Sequence, residues 1–424
     1  MGHTTASITS PKFPASPADK KVMGSTKVGT DAHCRRVAAW CRELAIAAGL
    51  SESDRNLIEQ AALSHHLPEI LLNERGRSRL LADLRLEEGV GELIGDEVRE
   101  LLKAFRGEAA ASGRLVKLAA LIEISDDFDQ YFEAEPLLDT LESPVSTSVD
   151  AMMSYLQVTS RADVARVIDR LPVFPRAARE VVRCASDAGS DVRELERAAK
   201  LDQVLAGLLI QTANSAYYSP YRPIVAIPHA ISYVGLDTAR KVLLAAALRS
   251  GFATARQHKL WNHALDVAQS VEHLAQHSTL DIDPGEAFLA GLVHDVGCLA
   301  FSMMPPNFLD RFQRLTSRGC PPFEVEICLA GVCHGEAGAE TLRQWKFGES
   351  TIEAVRWHHR PERSTGSLAS LLYLGEFCCD SDEDLPSVVR LRAALERAGI
   401  SEQVLAETGR RESCLDSLRF AAAA

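Results

Sequence analysis

Apolar residues recur at three- and four-residue spacing along most of the chain, and period-two alternation is scarce. That pattern predicts helices almost throughout. The chain turns helical at Asp31, where His33, Val37, Trp40, Cys41 and Leu44 share a face and Gly49 offers a stop. Ser51 to Asp54 supply capping residues for a helix over 55–66, which ends at His65 and His66. Short helical patterns fill 67–110, and 115–128 is a strongly apolar helix closing on Asp126 and Asp127. The stretch 138–160, with Pro144 and Ser146, Thr147 and Ser148, reads as a connector, with a domain boundary near 155.

A second helical block covers 161–255, with Gly235-Leu236-Asp237 as one helix stop and the next cap. The third, 256–380, carries the histidines. Leu260, Ala264, Val267, Val271 and Leu274 define one helix face that includes His263, while His273 points away. The apolar helix from Glu286 runs into adjacent His294 and Asp295. His334 opens another helix, 350–359 ends on His358-His359, and 368–379 is apolar except for Glu376. Residues 385–424 predict one or two short helices without evident chemistry. The expected fold is all-α.

Composition narrows the class. The 424 residues suggest two or three domains, and 46% apolar with 25% charged content is ordinary for a globular protein. Residues 1–30, rich in Ser, Thr, Pro, Lys and Gly, are expected to be a disordered tail. With a net charge of −12, generic attraction to nucleic acid is not expected. A helix-turn-helix-like stretch around Ala230–Leu248 keeps that reading as a minor one. No apolar run is of membrane-spanning or signal-peptide length, so a cytoplasmic, membrane-free protein is expected. The ten cysteines are irregularly placed without C-x-x-C, which reads as reduced thiols.

The candidate chemistry is a set of side chains on inward faces or helix ends: His263, His294, Asp295, His334, His358, His359 and Glu376. Imidazole with carboxylate suits Fe, Mn, Zn or Ni, and seven such groups suit one or two ions. Such a centre activates water for attack on phosphorus. Taken singly, each histidine is more simply a hydrogen-bonded structural residue; taken together on apolar faces they indicate a divalent metal site.

The order His263…His294-Asp295…His334…His358-His359…Glu376 resembles the HD superfamily of metal-dependent phosphohydrolases. LPVFPRAAREVV, QTANSAYYSP, AIPHAISYVG, LWNHALDVA, EAFLAGLVHDVG, EICLAGVCHGEAGAETLRQW and WHHRP together resemble the HDOD family, the HD-related output domain of bacterial signalling proteins. The resemblance spans about 161–380 and implies an all-helical fold and a signalling role. Three features depart from these patterns. Glu376 stands where the superfamily has Asp, RPERSTGS follows the His pair in place of a GYP-type segment, and Asp202-Gln203 replaces Asp-Pro.

The first block echoes the pattern. His33 precedes His65 by 32 residues, as His263 precedes His294 by 31. LIEISDDFD parallels LYLGEFCCD, which sets Asp126 opposite Glu376. Residues 31–150 therefore resemble a degenerate HD-like domain in which His66 replaces the Asp. Its remaining His33, His65 and Asp126 form either a weak metal site or a scaffold retained for packing or homodimer contacts. The expected organisation is thus a tail (1–30), this unit, an HDOD domain over 155–380 (161–255 and 256–380) and a helical tail over 381–424. Two functions follow. The leading one is a regulatory module that binds a signalling protein or a nucleotide. The other is a metal-dependent phosphohydrolase or phosphodiesterase acting on a nucleotide or cyclic dinucleotide, with Asp295 orienting the water.

Overall fold

Burial of the predicted apolar stripes builds the first bundle of the computed structural model. It describes residues 30–66, 96–107, 113–134, 145–171, 176–186, 191–249, 255–379 and 388–408. Helix α1 (Thr30–Ala47) buries Val37, Trp40, Cys41 and Leu44. Helix α2 (Glu52–Ser64) starts at Ser51, whose hydroxyl accepts the Asp54 N–H at 3.1 Å. With α3 (Asp96–Phe105), α4 (Gly113–Ala134) and α5 (Val145–Leu156) they form a bundle in which α1 packs on α2, α4 and α5. Trp40 meets Phe128 edge-on at 5.1 Å in its centre.

Two expectations are corrected here. Helix α4 does not close on Asp126 and Asp127 but continues to Ala134, because its acidic residues have partners across the bundle, described below. The expected connector at 138–160 contains helix α5. Met152 and Leu156 on it are fully buried, so Ser and Thr at its start outweigh neither apolar residue. The expected tail, the patterns at 67–95 and residues 409–424 lie outside the described residues.

Helix α6 (Arg161–Ile168) opens with a Ser160/Asp163 capping box. A second bundle follows: α7 (Arg176–Ser186), α8 (Val192–Ala199), α9 (Gln203–Ala213), α10 (Ile227–Val234) and α11 (Leu236–Arg249). Gly235 separates α10 from α11 at φ +88°, a conformation that an L side chain strains to adopt. Val242 to Leu248 on α11 are buried throughout, so the second half of this helix belongs to the core.

The third bundle is built around α12 (Ala255–His277). It packs on α13 (Pro284–Val293) and, across the sequence, on α19 (Leu368–Cys379). Between them run α14 (Cys298–Phe301), α15 (Pro306–Thr316), α16 (Pro322–Ala330), α17 (His334–Gln344) and α18 (Glu349–Trp357). Helix α18 contacts α13, α17 and α19, which converges four elements on one point. His273 on α12 is half-buried rather than pointing fully to solvent. Helices α20 (Val388–Ala398) and α21 (Glu402–Glu407) close the described chain. No strand occurs among the described residues, and the fold is all-α.

The first bundle docks on the third through polar contacts over buried apolar surface. The nearly buried Glu43 carboxylate meets Arg314 at 2.8 Å and Arg311 at 3.5 Å. Arg311 also donates to the Leu156 carbonyl at 2.9 Å, and the Val158 N–H donates to Leu329 at 2.9 Å. The described cysteines are free. Among the described residues no helix is long and apolar enough to cross a membrane. Because Met152 packs with no exposure, Met152→Ala is expected to lower the unfolding free energy by about 2–5 kcal/mol in urea denaturation. A change below about 0.5 kcal/mol would place α5 outside the core.

Candidate metal centre

Helix α13 begins at Asp283, which accepts the Gly285 N–H at 2.9 Å, with Pro284 in the first turn. Its residues from Ala287 to Val293 are all buried. The buried helix therefore delivers His294 and Asp295 at its end into the interior. Nδ1 of His294 lies 2.8 Å from the Gly291 carbonyl. A proton on Nδ1 makes that contact a hydrogen bond and leaves the Nε2 lone pair facing the pocket. His358 at the end of α18 repeats the device, with Nδ1 2.6 Å from the Val355 carbonyl.

All seven sequence candidates meet at this point. His263, His294 and Glu376 bring one ligand atom each within 4.8 Å of one another, as do His334, His358 and His359. Asp295 lies between the two groups. Its Oδ2 is 3.4 Å from His294 Nε2, while its Oδ1 is 3.3 Å from His334 Nε2 and 4.0 Å from His358 Nε2. Glu376 spans them on the other side, 3.6 Å from His294 and 3.5 Å from His359. The Glu376 carboxylate thus reaches both groups of histidines.

The electrostatics follow from burial. Desolvation alone would lower the His294 and His334 pKa values. The carboxylates of Asp295 and Glu376 beside His294, and of Glu326 and Asp295 beside His334, more than reverse this and raise each to about 9. Burial opposes the Asp295 charge, yet His294, His334 and His263 hold its carboxyl well below the usual range. His358 is pushed down to about 3 by burial and by the neighbouring His334 and His294 charges. His359 is also pushed down, by burial and by His358 and His334. The carboxylates thus favour positive charge beside them, while His358 and His359 are kept neutral.

The donor set fits a divalent cation. Nε2 of His294 and Nε2 of His358 are buried with no hydrogen-bond partner, although carboxylate oxygens lie 3.4 to 4.0 Å away. Convergent nitrogen and oxygen lone pairs without a shared hydrogen-bond direction suit a cation better than each other.

Two participants were not singled out from the sequence. Glu326, inside apolar α16, accepts both the His334 backbone N–H at 2.6 Å and its Nδ1–H at 2.7 Å. It fixes the ring and caps α17, whose N-cap Cys333 makes no side-chain cap. The signal was available: a carboxylate in an apolar helix requires a partner, as at Glu376. Cys298 stands within ligand distance of Asp295 and His334.

The first bundle forms a smaller version. His33, His65 and Asp126 come together as expected, and His66 joins them, with all four ligand atoms within 4.8 Å. His65 Nδ1 lies 2.5 Å from the Ala62 carbonyl, the same orientation device as His294. His33 Nδ1 meets Asp129 at 2.7 Å, and Arg36 holds both Asp129 oxygens at 2.8 Å. Burial opposes protonation of His33, but Asp126 and Asp129 raise its pKa to about 10. His65 rises to about 9, chiefly through Asp126 acting against burial.

With this geometry in place, comparison with known proteins decides the relationship. Residues 171–361 match the family model of the HDOD domain. The chain carries an HDOD domain. A protein of Treponema pallidum (strain Nichols), called uncharacterized, is 23% identical over 258 residues, 59% of this chain and 50% of that protein. The match thus spans half of that relative's length. A solved structure from Marinobacter aquaeolei VT8, bearing the name of a signal transduction protein, is 18% identical. It covers 67% of this chain and 68% of its own at a TM-score of 0.51. An HDOD domain protein of unknown function from Geobacter sulfurreducens is 22% identical, covering 61% of this chain and 93% of its own at a TM-score of 0.49.

The HDOD centre depends on one close backbone approach. A Cβ at Gly297 would collide with the His334 carbonyl oxygen and the Gly338 nitrogen. Gly297→Val is therefore expected to cost at least about 1–3 kcal/mol by separating the 294–298 turn from α17. Thermal unfolding followed by circular dichroism checks this; an unchanged midpoint would mean the turn has room.

Proposed function

We propose that this chain is a signalling protein whose HDOD domain holds divalent metal at the His/Asp/Glu centre and there binds a phosphate-bearing ligand. The observation that carries the reading is that the two oxygens of Asp295 face different imidazoles, His294 on one side and His334 with His358 on the other. His263, His294 and Glu376 would hold one ion, His334, His358 and His359 a second, and Asp295 would span them. Bound metal supplies concentrated positive charge for phosphate oxygens. Glu326 would position His334 and is not itself a ligand.

In the first bundle, His33, His65, His66 and Asp126 would hold a single ion. Four protein ligands complete a tetrahedral set and leave no open position, which suits a structural role. Asp129 and Arg36 would orient His33.

Hydrolysis is the second reading. The spanning position of Asp295 favours it, because two ions joined by one carboxylate can clamp an in-line displacement at phosphorus. Asp295 would then orient the attacking water, and the more exposed His359 would face the phosphate. Turnover of bis(p-nitrophenyl) phosphate or cyclic dinucleotides no faster than in metal-containing buffer would sink this reading and leave the binding role.

Elemental analysis of metal-replete protein tests the main proposal. The wild type should carry about three equivalents, two in the HDOD domain and one in the first bundle. A His294→Ala, Asp295→Ala variant should lose the HDOD share, and His65→Ala, Asp126→Ala the other. Less than one equivalent in the wild type would overturn it. Glu326→Ala should weaken metal binding about 10–100-fold in chelator competition while leaving every ligand in place.

A further inference from the structure

A cavity of about 180 Å³ opens beside the HDOD centre, with His359 as a shared wall. Its lining is unlike the rest of the chain. In a protein of net charge −12, it gathers Arg161, Arg356, Arg360 and Arg363 around the aromatic rings of Phe323 and Trp357, with Glu336 as the acidic member. Glu336 lies 3.4 Å from Arg161 and offsets that one charge. Of the other three arginines, Arg356 lies on α18 just before the His pair, and Arg360 and Arg363 lie on the turn after it. Arg356 and Arg363 each hold their guanidinium 5.8 Å from the Trp357 ring, and Arg360 lies 5.8 Å from Phe323. Phe323 in turn stacks on His359 at 4.9 Å and 16°. The far wall belongs to the first bundle, through Tyr131 on α4 and Val149 on α5.

From this we propose that the cavity binds a mononucleotide that bridges the two bundles. Guanidinium forks bind phosphate bidentately, and aromatic faces accept a base by stacking. Neither feature alone selects a nucleotide; together in one cavity they match its two halves. Size selects within the class. About 180 Å³ is below the roughly 300 Å³ at which pockets enclose drug-sized ligands, so one phosphate and one ring fit, with part of the ligand at the mouth. A cyclic dinucleotide is too large. The inference deepens the proposed function and rests on it in one respect: His359 would place the phosphate next to the metal. The arginine and aromatic lining is independent of metal.

Because Tyr131 and Val149 complete the wall, occupancy would tie the first bundle to the HDOD domain. This gives the degenerate unit a task besides packing: it reports whether the cavity is filled.

Titration calorimetry of the full metal-loaded chain with AMP and GMP tests the binding. Saturable binding of at least one is expected, at least tenfold tighter than inorganic phosphate. The Arg356→Ala, Arg363→Ala variant, altered at two exposed positions and checked for an intact circular-dichroism spectrum, should weaken it at least tenfold. No saturable binding of either mononucleotide, or equal binding by the double variant, would overturn the proposal. The His294→Ala, Asp295→Ala variant separates the two readings. If it lacks metal yet binds AMP or GMP in an arginine-dependent way, the cavity stands by itself. If the wild type holds metal and binds neither nucleotide, the cavity proposal alone fails. Hydrogen exchange should show ligand protection in 113–134 and 145–156 as well as 356–363; protection confined to 356–363 would overturn the bridging.

Discussion

The third bundle is organised by the need to compensate one buried carboxylate. Asp295 sits at the end of a fully buried helix, and isolating such a charge costs several kcal/mol even after relaxation. Its compensation comes from α12, α17 and α18, whose histidines stand 32 to 63 residues away in sequence. His263 and His358 reach it because α12 and α18 pack on α13 and α19, and His334 because α17 packs on α18 and α14. The apolar contacts bring these helices together, and the carboxylate decides which faces must meet. Glu326 extends the same logic outward, since it fixes His334 through two hydrogen bonds and is itself buried in α16.

The first bundle solves a similar problem with different charges. Here the helix-end pair is His65-His66, so the acidic residues come from α4 instead. Asp126 faces His33 at 3.0 Å and His65 at 3.5 Å, while Asp129 is bound by Arg36. This centre therefore has three imidazoles and one carboxylate, without a carboxylate spanning two groups of histidines. The two centres share an orientation device, a Nδ1 contact to the carbonyl three residues back, at His65, His294 and His358.

Much of this was legible in the sequence, for identifiable reasons. Helices with long apolar stripes, such as α12 and α19, carry their periodicity openly, and His263 and Glu376 stand out against it. Helix α5 was missed because Ser and Thr dominate its start, whereas its burial rests on Met152 and Leu156 across the bundle. Glu326 was missed although its setting matches that of Glu376; a second acidic residue in the same short helix, Glu324, blurs the contrast. The continuation of α4 past Asp126 depends on Arg36 and His33, partners some ninety residues away that no local pattern reveals.

The account stands or falls on cation binding at Asp295, and anomalous diffraction from crystals of metal-replete protein tests this most directly. It predicts an anomalous peak about 2.0–2.2 Å from an Asp295 oxygen and from Nε2 of His294 or His334. Data to ordinary resolution with ordered side chains at 263, 294, 295, 334 and 358 but no peak among them would contradict it.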